Sequence, residues 1–137
     1  MNTGYLLMNI SKQMKYQLNQ ALLQQGLTVQ QWAVIQQLAQ QIPLTAVTLS
    51  ARLDMDKPTL SGIIRRLLDK QLIEKTSNPD DKRSQLLSLT DAGMTAAAAG
   101  KQTSDDLLDH VLGDLSPAEQ TTLNHLLTKI NASKETL

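Results

Sequence analysis

The side chains best suited to chemistry in this sequence form one polar and basic surface between Lys57 and Arg66. Apolar residues recur there at steps of three and four, which predicts a helix with one buried face: Leu60, Ile63, Ile64, Leu67 and Leu68. The remaining face is small, polar and basic: Lys57, Thr59, Ser61, Gly62, Arg65 and Arg66. Such groups suit hydrogen bonds to nucleic-acid phosphates and base edges. We expect Arg65 to read a guanine or a phosphate, and Lys57 to meet a phosphate at the positive helix start.

The elements before this helix must present that face. Asp56 supplies a side-chain acceptor for the first helical turn, and Pro58 fits that turn because its missing N–H has no partner inside a helix. A shorter amphipathic run ends just before the turn 54–56, with apolar residues at Val47, Leu49, Ala51 and Leu53. Two helices joined by so short a turn predict a helix-turn-helix, whose second helix enters a DNA major groove.

A second polar feature is the charged segment 77–83, SNPDDKR. The runs 72–76 and 85–89 on either side predict two short strands, and the segment between them has turn chemistry. The pair predicts a β-hairpin wing with Asp81, Lys82 and Arg83 at its tip. A solvated hairpin tip and a solvated helix face would carry the same polarity, and this plainer interpretation stays open for both surfaces.

Four runs together resemble the MarR family of winged-helix transcriptional regulators. They are the LT..QW..L run at 27–38, the segment LSARLDMDKPTLSGIIRRLLDKQLI, the wing NPDDKR and the closing LSLTDAG. The resemblance covers nearly the whole chain. It implies that Arg83 enters a minor groove, that Asp81 holds its guanidinium, and that Lys82 contacts a phosphate. Because the family usually has glycine where this chain has Gln71, we expect a tighter or differently closed turn there.

Composition and charge narrow the class of protein. The 137 residues, 41% of them hydrophobic, are one domain's worth of sequence, and the formal net charge is zero. Residues 52–83 hold eight bases and six acids, a net +2, whereas residues 84–137 hold three bases and seven acids, a net −4. The bases therefore gather at the predicted DNA-binding surface. No cysteine is present for disulfides or zinc-thiolate sites. No apolar run approaches the roughly 18 residues of a membrane span, so we expect a cytoplasmic protein without a membrane partner.

The predicted fold is mainly α with a small β-hairpin wing, in one domain over 1–137. Helices are expected over 5–24 and from 28 through 40, followed by the helix-turn-helix, a long helix toward 112 and a last helix. Side chains able to cap helix N-termini precede four of them: Thr28 with Gln31, Thr45, Thr90, and Ser116 with Glu119. We assign 28–90 to a winged helix-turn-helix lobe, and 1–25 and 91–137 to dimerisation helices.

The terminal helices carry more apolar surface than one small core can cover. The first is apolar on more than one side, and the last has a stripe at Leu123, Leu126, Leu127 and Ile130. This surplus implies a partner, which the resemblance implies is a second copy of the chain. A twofold homodimer would place two recognition helices about 34 Å apart and select a near-palindromic operator in double-stranded DNA.

Two further clusters contain side chains that could bind a ligand. Trp32 is expected first as a core-filling or interface residue; the alternative, which the resemblance implies, is a crevice for a small aromatic or anionic effector lined by Met8, Ser11, Met14 and Trp32. His110 stands near three aspartates (Asp105, Asp106 and Asp109), but one histidine without cysteine is a poor metal set, so we expect no metal and no cofactor.

The sequence shows no nucleophile with a base and no phosphate-binding glycine loop, so an enzyme is not expected. The favoured interpretation is a dimeric repressor that leaves a palindromic operator when an effector changes the spacing of its lobes. Two alternatives stay open: a constitutive DNA-binding or architectural protein without an effector, and a winged helix that binds another protein.

Overall fold

The computed structural model describes residues 1–134; residues 135–137, the end of the predicted dimerisation region, lie outside it. Within the described chain, six helices flank and enclose one antiparallel hairpin, in the order α1 Thr3–Gln24, α2 Val29–Leu38, α3 Ala46–Leu53, α4 Lys57–Asp69, β1 Ile73–Ser77, β2 Gln85–Leu89, α5 Asp91–Val111 and α6 Pro117–Lys134. The predicted class, mainly α with a small hairpin wing, is confirmed.

The helices begin at the side chains that cap them. The α2 box closes with the Thr28 hydroxyl accepting from the Gln31 N–H at 3.0 Å and the Gln31 side chain accepting from the Thr28 N–H at 3.3 Å. Ser116 and Glu119 form the same box at α6. Two ends were placed wrongly. Helix α1 starts earlier because the Asn2 side chain accepts from the Tyr5 N–H at 2.7 Å, and α2 ends at Leu38, two residues short of the predicted end.

The buried core lies where α2, α3, α4 and the hairpin meet. The side chains with the least exposure come from the first four helices and the loop between α1 and α2: Leu22, Leu27, Val34, Ile35, Leu38, Leu49, Leu60 and Leu67. The hairpin pairs Ile73 with Leu89 and Ser77 with Gln85, and Leu44 forms an isolated antiparallel bridge to Leu87 through hydrogen bonds of 3.0 and 2.8 Å. The recognition helix α4 is therefore held against the core along its apolar face, as its spacing predicts.

Helix α3 differs from the prediction. Val47 was placed on its apolar face, but it is 71% exposed, and Ala51 is also exposed. Leu49 is buried and Leu53 is half-buried, so only part of the predicted run faces the core. The reason is geometric. Residues two apart lie on opposite sides of a helix, so a run spaced by two cannot share one face.

In the turn after α4, Gln71 adopts the left-handed conformation that we expected this residue to avoid. Gln71 has φ 61°, and the turn closes in the manner usual with glycine, through hydrogen bonds from the Gln71 and Leu72 N–H groups to the Leu68 and Leu67 carbonyls. The Thr90 side chain donates to the Gln71 carbonyl at 2.7 Å. These bonds offset the strain of a non-glycine residue in this conformation, about 1 kcal/mol.

The residue that makes this junction tight is Gly93. A Cβ atom there would lie 2.0 Å from the Leu72 carbonyl oxygen, and no side chain fits in that space. The Thr90 N–H also donates to the same carbonyl at 3.1 Å. The LSLTDAG run thus joins the end of the hairpin to the start of α5 at fixed geometry.

The terminal helices are packed unequally. Helix α1 packs on α5 and α2, whereas α6 has no substantial packing against any other helix or strand in the part of the chain that the structure describes. Large apolar side chains remain exposed on these helices, among them Tyr5 at 54%, Leu126 at 49% and Ile130 at 49%. None of the helices within 1–134 is long and apolar enough to cross a membrane.

Candidate nucleic-acid interface

A groove of about 650 Å³ runs between the start of α3, the outer face of α4 and the hairpin wing. It is lined by Thr45, Ala46, Val47, Lys57, Ser61, Ile64, Arg65, Leu68, Lys75, Lys82, Arg83, Ser84, Gln85 and Leu87. Five of these residues are lysine or arginine, and none of these fourteen is acidic. We call this surface the basic groove. It joins two predicted surfaces into one, because Lys57, Ser61 and Arg65 of α4 face the wing residues Lys82 and Arg83 across it.

The remaining predicted contacts on α4 lie outside the groove lining. Thr59 and Arg66 are exposed, and Gly62 is half-buried. The Gly62 Cβ position has no heavy atom within 4 Å, so nothing inside the molecule requires a glycine there. A glycine inside an exposed helix lowers stability relative to alanine, by roughly 0.5–1 kcal/mol. Gly62 therefore leaves open space on the surface of α4.

The start of α4 is capped by the Asp56 carboxylate, and Lys57 is the first residue of the helix. The Asp56 carboxylate accepts a hydrogen bond from the Thr59 N–H at 2.7 Å, and no acid lies in the first turn. Hydrogen bonds from the Thr59 side chain and backbone lower the pKa of the Asp56 carboxyl from its ordinary value of 3.8. Lys57 therefore stands at the positive end of the helix dipole, where an anion is favoured.

The far end of α4 is fixed by Lys70. Its ammonium group donates to the Gln31 side chain at 3.1 Å and to the Gly26 carbonyl. Gln31 is itself only 5% exposed and belongs to the α2 capping box. The recognition helix is thus tied at its last turn to the α1–α2 junction.

The wing tip is ordered by two short side chains. Asn78 accepts from the Asp80 N–H at 3.0 Å and donates to the Ser84 hydroxyl at 2.9 Å. Asp81 accepts from the backbone N–H of Arg83 at 3.0 Å. The resemblance implied a bond to the Arg83 guanidinium instead, but within residues 1–134 the one salt bridge is Lys101–Asp105. In this structure Asp81 shapes the turn that carries Arg83.

Nine groove residues were not predicted as contact residues. Ile64, Leu68 and Leu87 were expected only as apolar residues of α4 and the second strand, and the other six are Thr45, Ala46, Val47, Lys75, Ser84 and Gln85. Lys75 had a usable signal, since residues two apart on a strand share a face and Lys75 therefore points to the same side as the buried Ile73. The α3 residues had none, because their apolar character suggested a core position.

The four predicted effector residues lie on α1 and α2 and differ in exposure. Trp32 is half-buried against the core and beside Gly100, and its Nε1 atom is buried without a hydrogen-bond partner in residues 1–134. Met14 is half-buried, Ser11 is exposed, and Met8 is 76% exposed. None of them lines the basic groove. The effector site stays a prediction.

The residues weighed for metal binding are exposed on α5. Asp105 pairs with Lys101 at 2.8 Å, and Asp106 accepts from the Gln102 side chain at 2.8 Å. No group of three metal-ligating side chains occurs among the residues that the structure describes.

Known proteins share this sequence and this fold. The MarR family model matches residues 27–85, which contain α2, α3, α4, the first strand of the hairpin and its tip. Over 104 residues the chain is 30% identical to the transcriptional regulator HosA of Escherichia coli O111:H-, which covers 76% of this chain and 77% of HosA. The chain belongs to the MarR family. The multiple antibiotic resistance protein MarR of Salmonella typhimurium is 35% identical over 88 residues, and the match spans 64% of this chain and 61% of that relative.

The fold of this MarR-family chain is also that of a solved DNA complex. A crystal structure of a mutant MarR from E. coli complexed with operator DNA is similar to this chain, with a TM-score of 0.79 and 29% sequence identity. The similarity covers 93% of this chain and 91% of that one. The chain is a winged-helix transcriptional regulator by family and fold. The MarR family is a family of regulators and not of enzymes.

Proposed function

We propose that this MarR-family regulator binds a double-stranded DNA operator through the basic groove, with α4 in the major groove and the wing tip at the adjacent minor groove. The observation that carries the proposal is the groove lining, where five cationic side chains meet without an acid. A surface of this charge neutralises phosphates, while guanidinium groups on α4 reach base edges. In this arrangement Arg65 reads bases, Lys57 and Lys82 contact phosphates, and Arg83 enters the minor groove.

The operator is near-palindromic because the regulator acts as a homodimer. Helix α6 presents a groove of about 370 Å³ lined by Leu115, Ala118, Glu119, Thr122, Leu123 and Leu126. A helix that exposes such a surface and packs on little of its own chain is stabilised by a second copy. Twofold symmetry then presents two α4 helices to half-sites about one DNA turn apart.

Regulation works through an effector and not through catalysis. We place the protein in the cytoplasm, as a repressor that a small aromatic or anionic molecule releases from DNA. Trp32 is half-buried, so part of its indole remains accessible to such a molecule. A saturable change in Trp32 fluorescence with such a compound, accompanied by release of DNA, is the expected behaviour. A constitutive DNA-binding protein would show neither response.

The direct test is selection of genomic DNA fragments by the purified protein. We expect enrichment of fragments that share one near-palindromic sequence, and loss of that enrichment in the Arg65→Ala variant. Lys101→Ala is the matched control, because this exposed cation lies on α5, outside the basic groove. Recovery of fragments without a shared sequence, or equal enrichment by Arg65→Ala, would overturn the proposal.

A further inference from the structure

Helix α2 meets the long helix α5 at two contacts, which lie about one helical turn apart along each of the two helices. The indole of Trp32 lies against Gly100, and the side-chain amide of Gln36 donates to the Ala97 carbonyl at 3.0 Å. Gly100 and Ala97 are both buried. Trp32 and Gln36 are four residues apart on α2 and so share a face. We call these four residues the α2–α5 joint.

The joint is closed to a degree that admits no larger side chain. A Cβ atom added at Gly100 would lie 2.1 Å from Trp32 Nε1 and 2.4 Å from Cδ1. Ordinary contact between such atoms is about 3.5–4.0 Å, so an added methyl group would have to separate the helices by about 1.5 Å. Protein interiors transmit such strain and do not absorb it. An added methyl group at Gly100 would therefore have to displace the Trp32 indole, and with it the packing of α2 on α5.

The joint is also the place where two parts of the fold are connected. Helix α2 belongs to the core that carries α4 and the wing, whereas α5 packs on α1 and leads to α6. The buried Trp32 N–H has no acceptor in the described chain, which weakens the closed packing. The Gln36 bond and the fit of the indole on Gly100 therefore hold α2 against α5, in addition to the Gly93 junction at the start of α5.

We propose that Trp32, Gln36 and Gly100 are positioning residues that fix the angle of the DNA-binding lobe on α5, and so set the separation of the two recognition helices. The consequence for operator choice rests on the dimeric DNA binding proposed above; the geometry of the joint does not. The donor–acceptor distance of a hydrogen bond to a base edge varies by only about 0.5 Å. A lobe that is displaced by more than this no longer matches the spacing of the two half-sites.

The test measures the lobe directly, without DNA. The sequence has no cysteine, so Asp69→Cys on α4 and Asp109→Cys on α5, both at exposed positions, take spin labels at two chosen places. Pulsed electron resonance on labelled chain diluted with unlabelled chain gives the distance within one chain. We expect Gly100→Ala to shift this distance by about 1.5 Å or more. Adding Trp32→Leu, which removes the indole atoms nearest the new methyl group, should restore it.

Two matched controls separate position from stability. The first control is Gly4→Ala, on α1. A Cβ atom at Gly4 would meet nothing nearer than Asn2 Oδ1 at 3.5 Å, so this variant should leave the distance between the spin labels unchanged. Gln36→Glu removes the donor to Ala97 at nearly constant size and should also shift the distance, whereas Gln37→Glu, at a half-buried neighbour, should not. If Gly100→Ala fails to fold, the two glutamine variants decide the proposal.

The second measurement is binding to operators whose half-sites are moved apart or together by one base pair. Gly100→Ala should prefer a changed spacing over the parental one by at least tenfold, and the Trp32→Leu partner should reverse this preference. An unchanged label distance in both Gly100→Ala and Gln36→Glu would overturn the joint. A shifted distance in a protein that selects no operator would overturn the proposed function and leave the joint in place.

Discussion

The lobe formed by α2, α3, α4 and the hairpin differs from α6 in how much of its apolar surface is buried within the chain. In the lobe, apolar side chains from every element are buried together, and the cap side chains of α2, α3 and α4 all bond to backbone N–H groups. Helix α6 is properly capped, yet its apolar stripe is largely exposed. Local signals are thus sufficient to form a helix but not to bury it. The lobe is thus buried within its own chain, whereas α6 leaves an apolar surface for the proposed second copy.

The largest effect should come from placing a charge on the exposed stripe of α6. Leu126→Asp puts a carboxylate into the proposed dimer interface, where its desolvation is unfavourable, and should give a monomer in sedimentation at micromolar concentration. Operator affinity should then fall by about 10²–10⁴, because the second half-site no longer adds to the first. Removal of residues 116–137 should act in the same direction.

His125→Asp is the control for that prediction. His125 is exposed on α6 and lies outside the stripe, so the variant should remain dimeric. A monomeric wild-type chain, or a dimeric Leu126→Asp variant with full operator affinity, would show that α6 is not the interface.

The recognition helix offers the next largest effect. Arg65 is exposed and lines the basic groove. Arg65→Ala should weaken operator binding by roughly 1–3 kcal/mol and relax the base preference at one position of each half-site, because a bidentate contact to a base is lost. Competition binding against operators substituted at each position measures both effects. Equal weakening on all sequences would assign Arg65 to a phosphate.

The wing should give a smaller effect with an informative sign. Arg83→Ala should weaken binding mainly to sites with A·T-rich flanks, since these have the narrow minor groove that favours a guanidinium. Asp81→Ala should cause part of that loss although it removes a negative charge, because the turn at Arg83 loses its acceptor. Asp81→Asn keeps an acceptor and should bind nearly as well as the parent. Tighter DNA binding by Asp81→Ala would show that the Asp81 carboxylate does not support the position of Arg83 on DNA.

The smallest effect should be a pH dependence at the start of α4. The hydrogen bonds from Thr59 lower the pKa of the folded Asp56 carboxyl below its ordinary value of 3.8. A carboxyl with a lowered folded pKa contributes stability that is fully present above the unfolded pKa and is lost as pH falls through the folded one. Melting curves below about pH 5 should therefore show a steeper acid loss for the parent than for Asp56→Asn, which caps without titrating. Parallel curves would contradict this account of the cap.

Sequence patterns predicted what depends on neighbours along the chain. The caps at Thr28, Thr45, Asp56 and Thr90 were located to the residue, because a cap joins groups three residues apart. Predictions that depend on distant contacts fared differently. Val47 was assigned to the core and lies on the groove, since its surroundings come from the wing.

Gln71 shows a second limit of the sequence. Its left-handed conformation looked unfavourable from residue type alone, but Thr90, nineteen positions later, donates to its carbonyl and supports it. The same is true of the joint between α2 and α5. Nothing near Gly100 in the sequence indicates that an indole from α2 fills the space beside it.

The central claim is that the basic groove is a surface for DNA phosphates, and the salt dependence of binding to the selected operator tests it most directly. Each phosphate neutralised contributes about −0.9 to the slope of log K against log salt, so five groove cations on each of two chains set an upper limit of roughly −9. We predict a slope of roughly −4 to −9. The Lys57→Ala substitution should reduce the magnitude of the slope by about one unit for each phosphate contact that is lost, while the base preference is retained. A slope near zero, or one that Lys57→Ala leaves unchanged, would contradict the account and indicate a protein-binding surface instead.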